Sequence, residues 1–312
     1  MGATAEPMTL DDLAARLASS LGRPVSRDVP LSAYSTYRLG GPAALFVELV
    51  DDAELLAVSV ALWECPAPIL VVGNGSNLLV HDDGFAGLAV HLAGAFESVV
   101  VGDDQVEAGG GVALPVLARR CAAAGRAGVE FYVGIPGSVG GAVRMNAGGH
   151  GSETVDVLVS AALIDLGSEA APHEEVRGPG DLGFSYRKSN LTPTHVVTRA
   201  SFRVTPDDPR TCGDRIDEIV RWRRDHQPGG ANAGSVFTNP PGDSAGRLIE
   251  ACGLKGHRVG GAIVSEKHAN FFQADAGASA ADVAGLVSYV QARVEASTGI
   301  RLEPELTLVG FA

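Results

Sequence analysis

Five stretches of the sequence carry residue types that could do chemistry. Gly73-Asn74-Gly75-Ser76-Asn77 follows directly on the apolar run from Pro68 to Val72. Successive backbone N–H groups in such a turn make a concave anion site, and the Ser and Asn side chains add donors that reach a pyrophosphate. A tight turn needing positive φ accounts for the same residues, because Gly and Asn are ordinary turn formers. The third glycine of a dinucleotide-binding G-x-G-x-x-G is replaced by Leu78, and no Gly-Lys-Ser/Thr follows, which disfavours both the Rossmann and the Walker A folds.

The second stretch runs from Gly134-Ile135-Pro136-Gly137-Ser138 through Gly140-Gly141 into Arg144-Met145-Asn146-Ala147-Gly148-Gly149. It is nearly free of charge, lets a backbone lie close to a flat ligand, and offers N–H groups to phosphate or ring carbonyls. Paired with the first stretch it predicts a cofactor cleft between two units. A ligand-free glycine loop is the plainer alternative, but so much glycine costs conformational entropy that something must offset.

The remaining three are shorter. Phe184-Ser185-Tyr186-Arg187-Lys188-Ser189 presents a guanidinium whose forked donors match a carboxylate or enolate, although a solvated basic turn reads the same way. Asn232-Ala233-Gly234-Ser235 places a hydroxyl beside glycine, where a simple turn residue is usual. Glu303 and Glu305 lie two apart in Leu302 to Leu306, so a strand would point both to one side. Surface acids are the common case.

The elements that must position these residues follow from periodicity and breakers. Residues 44–50 and 68–73 read as strands, the second of the fully buried apolar type, with a helix begun by Asp51-Asp52 between them. Short strands over 88–111, a helix from Leu114 stopped by Gly125, and strands over 157–166 and 195–204 imply a second α+β unit. The stretch from Val129 to Glu153 holds too many glycines for a regular element. Residues 206–214 form a polar, proline-containing break, taken as the main domain boundary. Beyond it come a helix over 215–227, a helix over 244–253, a long one buried through Val283, Leu286, Val287, Val290 and Val294, and a strand over 300–310.

The 312 residues are 46% hydrophobic and 20% charged, enough to bury a large core in two or three folding units. A net charge of −13 without a basic block argues against a nucleic-acid partner. The amino terminus is acidic and helical in period, unlike an export signal, and no apolar run is long enough to span a bilayer. Cys65, Cys121, Cys212 and Cys252 are widely spaced, which suggests neither a disulfide framework nor a metal site and fits a reducing cytoplasm. Lysine is rare, occurring only at 188, 255 and 267.

Taken together, YSTYRLGGPA, VVGNGSNLLV, GIPGSVGGAVRMNAGGHG, FSYRKS, NAGSVFTNP, AGRLIEACGLKG, SEKHANFF and LEPEL occur in an order that resembles the UDP-N-acetylenolpyruvoylglucosamine reductase family, from about Leu31 to Gly310. The resemblance implies an α+β fold of the vanillyl-alcohol-oxidase-like FAD-binding type, with two subdomains over 1–92 and 93–206 and a substrate domain over 207–312. The strand at 300–312 would return near the active site. It implies FAD and NADPH as cofactors, a UDP-sugar enolpyruvyl ether as substrate, and a role in peptidoglycan precursor synthesis, hence in cell-wall biogenesis, cell shape and division. A cytoplasmic monomer without metal, membrane or nucleic acid is expected. The short interval between FSYRKS and NAGS resembles the subgroup lacking an inserted Tyr-bearing loop.

Residue by residue, the resemblance assigns cofactor binding to Gly73, Asn74, Gly75, Ser76, Asn77, Gly137, Ser138, Gly141, Arg144, Asn146 and Gly148. It assigns catalysis to Arg187, Ser235 as proton donor, and Glu305 rather than Glu303. Substrate binding falls on Tyr186, Asn239, His226 and Lys267. Thr238 and Thr307 stand where the family commonly has basic residues, and His226 stands where some members have a phosphate-binding Lys. Another flavin oxidoreductase on the same scaffold, such as an alcohol or hydroxy-acid oxidase, would share the cofactor loops without needing the catalytic trio.

Overall fold

The computed structural model of the chain describes residues 8–311, so the first seven residues of the acidic amino terminus lie outside the described residues. The helix Leu10–Leu21 begins at a capping box of Thr9 with Asp12, ends at Gly22 in the left-handed region, and buries Leu13, Ala14 and Leu17. Those three side chains pack on the first of the three larger sheets.

That sheet has four strands in the order Ser26–Pro30, Pro42–Leu49, Phe85–Leu92, Ile69–Val72. The last three are mutually parallel, and the first is an antiparallel edge. The helix Asp52–Glu64, capped by Asp51, forms part of the connection from Pro42–Leu49 to Ile69–Val72. Ile69–Val72 departs from the expected buried strand: Ile69, Leu70 and Val71 are only half-buried. It is an edge strand, and those side chains line a cleft rather than a sealed core.

The second sheet is antiparallel, in the order Glu175–Arg177, Leu158–Asp165, His195–Arg203, Gln105–Gly109, Val99–Val101. Its core includes Leu114, Leu117 and Cys121 of the helix Leu114–Ala123. It also takes Cys212 and Ile216 from the helix Pro209–His226. The polar break at 206–214 therefore contains the first turns of a helix, started by Pro209 at a position where a missing N–H costs nothing. The glycine-rich stretch holds a regular element as well. Ser138 caps the helix Val139–Met145, whose Val139, Ala142 and Val143 are buried against the second sheet, so tertiary packing outweighs the poor helix propensity of Gly140 and Gly141.

A third core forms around the short antiparallel sheet of Arg258–Val259, Ala262–Val264 and Phe272–Ala274, with the helices Ala245–Ala251 and Ala280–Thr298. All five apolar positions expected on the long helix are buried, and Gly299 ends it in the left-handed region. This core also takes Tyr37 and Leu79 from the amino-terminal part of the chain. Asp82 adds a polar tie, its two carboxylate oxygens accepting from the N–H groups of Ala280 and Ala281 at 2.9 and 3.0 Å. Of the expected strand over 300–310, only Thr307–Val309 is regular, pairing in parallel with Leu78–Val80. Residues 303–306, between the long helix and that strand, instead bond to the segment after Ser235.

Among the described residues no helix is long and apolar enough to cross a membrane. The four cysteines are free.

Candidate active site

A cleft of about 530 Å3 opens where the three cores meet. Its volume suits a small-molecule ligand. One wall is the turn from Gly73 to Asn77, and its shape is dictated by close backbone approach. A Cβ on Gly75, whose φ is +57°, would stand 1.9 Å from the Tyr34 carbonyl oxygen, and one on Gly73 would stand 2.5 Å from Ser138 Oγ. Asn74 Nδ2 donates to the Gly137 carbonyl at 3.1 Å, joining this turn to the second glycine-rich loop. Gly137, Ser138, Gly141, Arg144 and Gly148 line the facing wall, with Ile69, Leu70, Val71, Ile135 and Pro136 giving it an apolar floor.

Asn146 also lies in that loop but turns inward. At φ +43° it ends the preceding helix, and it is buried. Its amide donates to Glu153 Oε2 at 2.9 Å and to the Ser185 carbonyl at 3.2 Å, while its Oδ1 accepts from the Val155 N–H at 3.0 Å.

Arg187 sits at the tip of a turn closed by reciprocal backbone hydrogen bonds between Ser185 and Lys188 at 3.0 and 3.1 Å. Its φ of +57° is a left-handed conformation that costs a non-glycine residue about 1–2 kcal/mol. The guanidinium lies 5.0 Å from the Tyr186 ring centroid, donates through Nη2 to the Gly148 carbonyl at 2.9 Å, and places Nε 3.5 Å from Glu305 Oε1. The side chains of Arg187 and Glu305 are 19% and 17% exposed. Burial pushes the Glu305 carboxyl above the ordinary carboxylate range, and the Arg187 charge opposes that shift in part.

Ser235 and Glu305 reach the same cleft because their segments run side by side. The Glu305 N–H donates to the Val236 carbonyl at 2.8 Å, and the buried Asn270 clamps Phe237 from behind, accepting its N–H at 3.0 Å and donating to its carbonyl at 2.8 Å. Asn77 Nδ2 holds the Glu305 carbonyl at 3.0 Å. Arg187, Ser235 and Glu305 thus all line the one cleft, with Tyr186 and Asn239. Asn239 Oδ1 accepts from the Ala245 N–H at 3.0 Å, so it also starts the following helix.

His226 and Lys267 lie outside the cleft wall. The His226 ring is exposed, stacks on Trp222 at 4.6 Å, and points Nδ1 at the Trp222 carbonyl. Lys267 is exposed and donates to the Arg224 carbonyl at the end of the same helix. The wall takes Arg223 and Gln227 instead, four residues apart on one face and joined by a 2.7 Å hydrogen bond. Burial lowers the pKa of both Arg144 and Arg223, and among the described residues neither pairs with a carboxylate. Partly buried cations without a carboxylate to balance them favour an anionic ligand. The only sequence signal for Arg223 was its place three residues before His226, where the helical face could not be fixed.

Residues 43–169 match the family described as FAD binding domain, and residues 226–309 match UDP-N-acetylenolpyruvoylglucosamine reductase, C-terminal domain. The chain is 43% identical over 285 residues to a UDP-N-acetylenolpyruvoylglucosamine reductase of Rubrobacter xylanophilus, covering 91% of this chain and 94% of that one. It is 42% identical over 302 residues to one of Syntrophotalea carbinolica, covering 96% and 99%. The crystal structure of the reductase from Thermus caldophilus superposes with a TM-score of 0.80 at 39% identity, covering 91% of this chain and 98% of that one.

Proposed function

The chain belongs to the UDP-N-acetylenolpyruvoylglucosamine reductase family, and from that premise we propose how its own residues perform the family's reaction. It is an NADPH-dependent flavoprotein oxidoreductase of the vanillyl-alcohol-oxidase-like fold, and it reduces the enolpyruvyl ether of a UDP-sugar in peptidoglycan precursor synthesis. The alternative of an alcohol or hydroxy-acid oxidase is not favoured by these relatives.

The cleft fits FAD on its own geometry. Position 75 has no room for a side chain against the Tyr34 backbone, one at position 73 would have to displace the Ser138 hydroxyl, and a half-buried apolar floor faces the loops. The residues from Gly73 to Asn77, with Gly137, Ser138, Gly141, Arg144 and Gly148, would hold it. When bound, FAD supplies two-electron chemistry, accepting a hydride from NADPH and delivering one to the terminal carbon of the enolpyruvyl group.

Charge then develops through the other alkene carbon onto the adjacent carboxylate. Arg187 faces that charge with a preorganised guanidinium, an arrangement that lowers a barrier by about 3 kcal/mol or more. Ser235 Oγ gives its proton to the enolate carbon, for which alignment matters more than the hydroxyl's weak acidity. Glu305, raised by burial, orients Arg187 and the substrate and is able to do so while carrying a proton. Tyr186 and Asn239 bind substrate beside them, and Arg223 meets an anionic group of a nucleotide. His226, on the helix that carries Arg223, and Lys267, which donates to the Arg224 carbonyl of that helix, act from outside the cleft wall.

NADPH and the UDP-sugar use the cleft in turn. The chain acts as a cytoplasmic monomer with small-molecule partners. The observation that carries this reading is the convergence of Arg187, Ser235 and Glu305 on a cleft walled by both glycine-rich loops. Incubation of the holoenzyme with NADPH and the enolpyruvyl UDP-sugar tests it. The expected product is heavier by two hydrogen atoms in mass spectrometry, and oxygen consumption with an alcohol in place of NADPH would overturn it.

A further inference from the structure

Arg187 faces two carboxylates, and the reaction above uses only one of them. Its Nε lies 3.5 Å from Glu305, and its Nη1 lies 3.5 Å from Glu153 Oε1. Both distances exceed the roughly 2.7–2.9 Å of a tight charge-assisted hydrogen bond, so neither acid captures the guanidinium. Its one firm contact is Nη2 to the Gly148 carbonyl at 2.9 Å.

Glu153 is itself held in place. Its second oxygen accepts from Asn146, whose amide also reaches the Ser185 carbonyl in the turn that carries Arg187. The buried Asn146 therefore spans from the Glu153 carboxylate to the base of a strained turn. Gly148 leaves no slack, because a Cβ there would stand 2.7 Å from Glu153 Cγ and 3.1 Å from Arg187 Nη1. Glu153 does not line the cleft, so it acts through Arg187 and not on a ligand.

We propose that Glu153, fixed by Asn146, is a positioning residue that holds Arg187 back from a closed ion pair with Glu305, leaving guanidinium donors free for the substrate carboxylate. Without the Glu153 charge, Glu305 is the one ion-pair partner left to Arg187 among the described residues, and Arg187 closes on it in the forked geometry that guanidinium and carboxylate prefer. The substrate must then break that pair as charge develops. The inference rests on the reaction proposed above and adds a residue to it.

The test compares the two half-reactions of the holoenzyme without oxygen. Glu153→Gln keeps the size of the side chain and an acceptor for Asn146 but removes the charge. NADPH is expected to bleach the flavin of this variant within about twofold of the native rate, while recolouring by the enolpyruvyl UDP-sugar slows about 10- to 100-fold, the scale of a slightly misplaced group. Glu153→Asp, with the charge restored on a shorter arm, is expected to recover part of that loss. Native recolouring in Glu153→Gln, or equal loss in both half-reactions, overturns the role. Should Glu153→Gln fail to retain flavin, Glu153→Asp decides alone: bleaching intact with slower recolouring supports the role, and any other pattern overturns it. Failure of the native protein to recolour at all would instead overturn the reaction itself.

Discussion

Asn77 and Glu305 are 228 positions apart, yet the Asn77 side-chain amide donates to the Glu305 carbonyl at 3.0 Å, and the Asn77 carbonyl accepts from the Thr307 N–H at 3.1 Å. The end of the cofactor turn and the carboxylate segment are therefore one structure. Placement of Glu305 depends on the Gly73–Asn77 turn being correctly folded.

Asn77→Ala is expected to leave the Glu305 carbonyl without its partner, at a cost of about 1 kcal/mol or more. Both FAD retention and the rate of substrate reduction should fall. Flavin content after gel filtration and turnover per bound flavin measure the two effects separately.

Gly75→Ala is expected to be more damaging. The added Cβ meets the Tyr34 carbonyl, and φ +57° is strained for alanine, so overpacking and strain together cost about 2 kcal/mol or more. Urea unfolding should show a lowered midpoint, and the purified protein should be colourless.

Ser235→Ala removes the proposed proton donor without altering the flavin cleft. NADPH-driven bleaching should be unchanged, and reoxidation by substrate should slow by about 100- to 10,000-fold, the usual worth of a positioned proton donor. Rapid-mixing absorbance separates the two steps, and equal losses in both would remove Ser235 from this role.

Stability should carry the signature of Glu305. Its folded-state pKa is raised, chiefly by burial, so the neutral acid costs nothing below the ordinary carboxyl value. As pH climbs from there through the raised folded value, the unfolded chain ionises first and stability is lost. Glu305→Gln lacks this loss. Its melting temperature should therefore gain on that of the native protein as pH rises from about 4 to about 8, and a constant difference would contradict the shift.

Much of this site could be located in the chain because its glycines and proposed catalytic residues sit in strings whose joint order is informative, although each short string alone also reads as a turn or a surface segment. Gly73 to Asn77 had to be an unusual turn after a strand, and the buried face of Ala280–Thr298 followed from its period. Asn146 could not be placed so, because a left-handed helix end turned its amide away from the cleft and toward Glu153. His226 was out of reach for a similar reason: which face of the helix Pro209–His226 meets the cleft is fixed by the packing of Cys212 and Ile216 on the second core. Nor does local sequence reveal that Tyr37 and Leu79 belong to the third core, since that depends on contacts made across most of the chain.

Arg223 and His226 offer a further contrast. Arg223→Gln should raise the KM of at least one nucleotide substrate about tenfold or more, the loss expected for a hydrogen bond to a charged group. His226→Ala should change KM much less, because its ring rests on Trp222 outside the cleft wall. Steady-state kinetics with each substrate varied in turn reads both.

The most direct measurement is an anaerobic absorbance trace of the native holoenzyme beside Arg187→Gln. In both proteins NADPH should bleach the yellow flavin. The enolpyruvyl UDP-sugar should then restore the colour of the native protein rapidly, while Arg187→Gln stays bleached for at least about 100 times as long, the loss expected when a preorganised charge is removed from a developing anion. Equal recolouring in the two proteins would contradict the role of Arg187 at the centre of the mechanism.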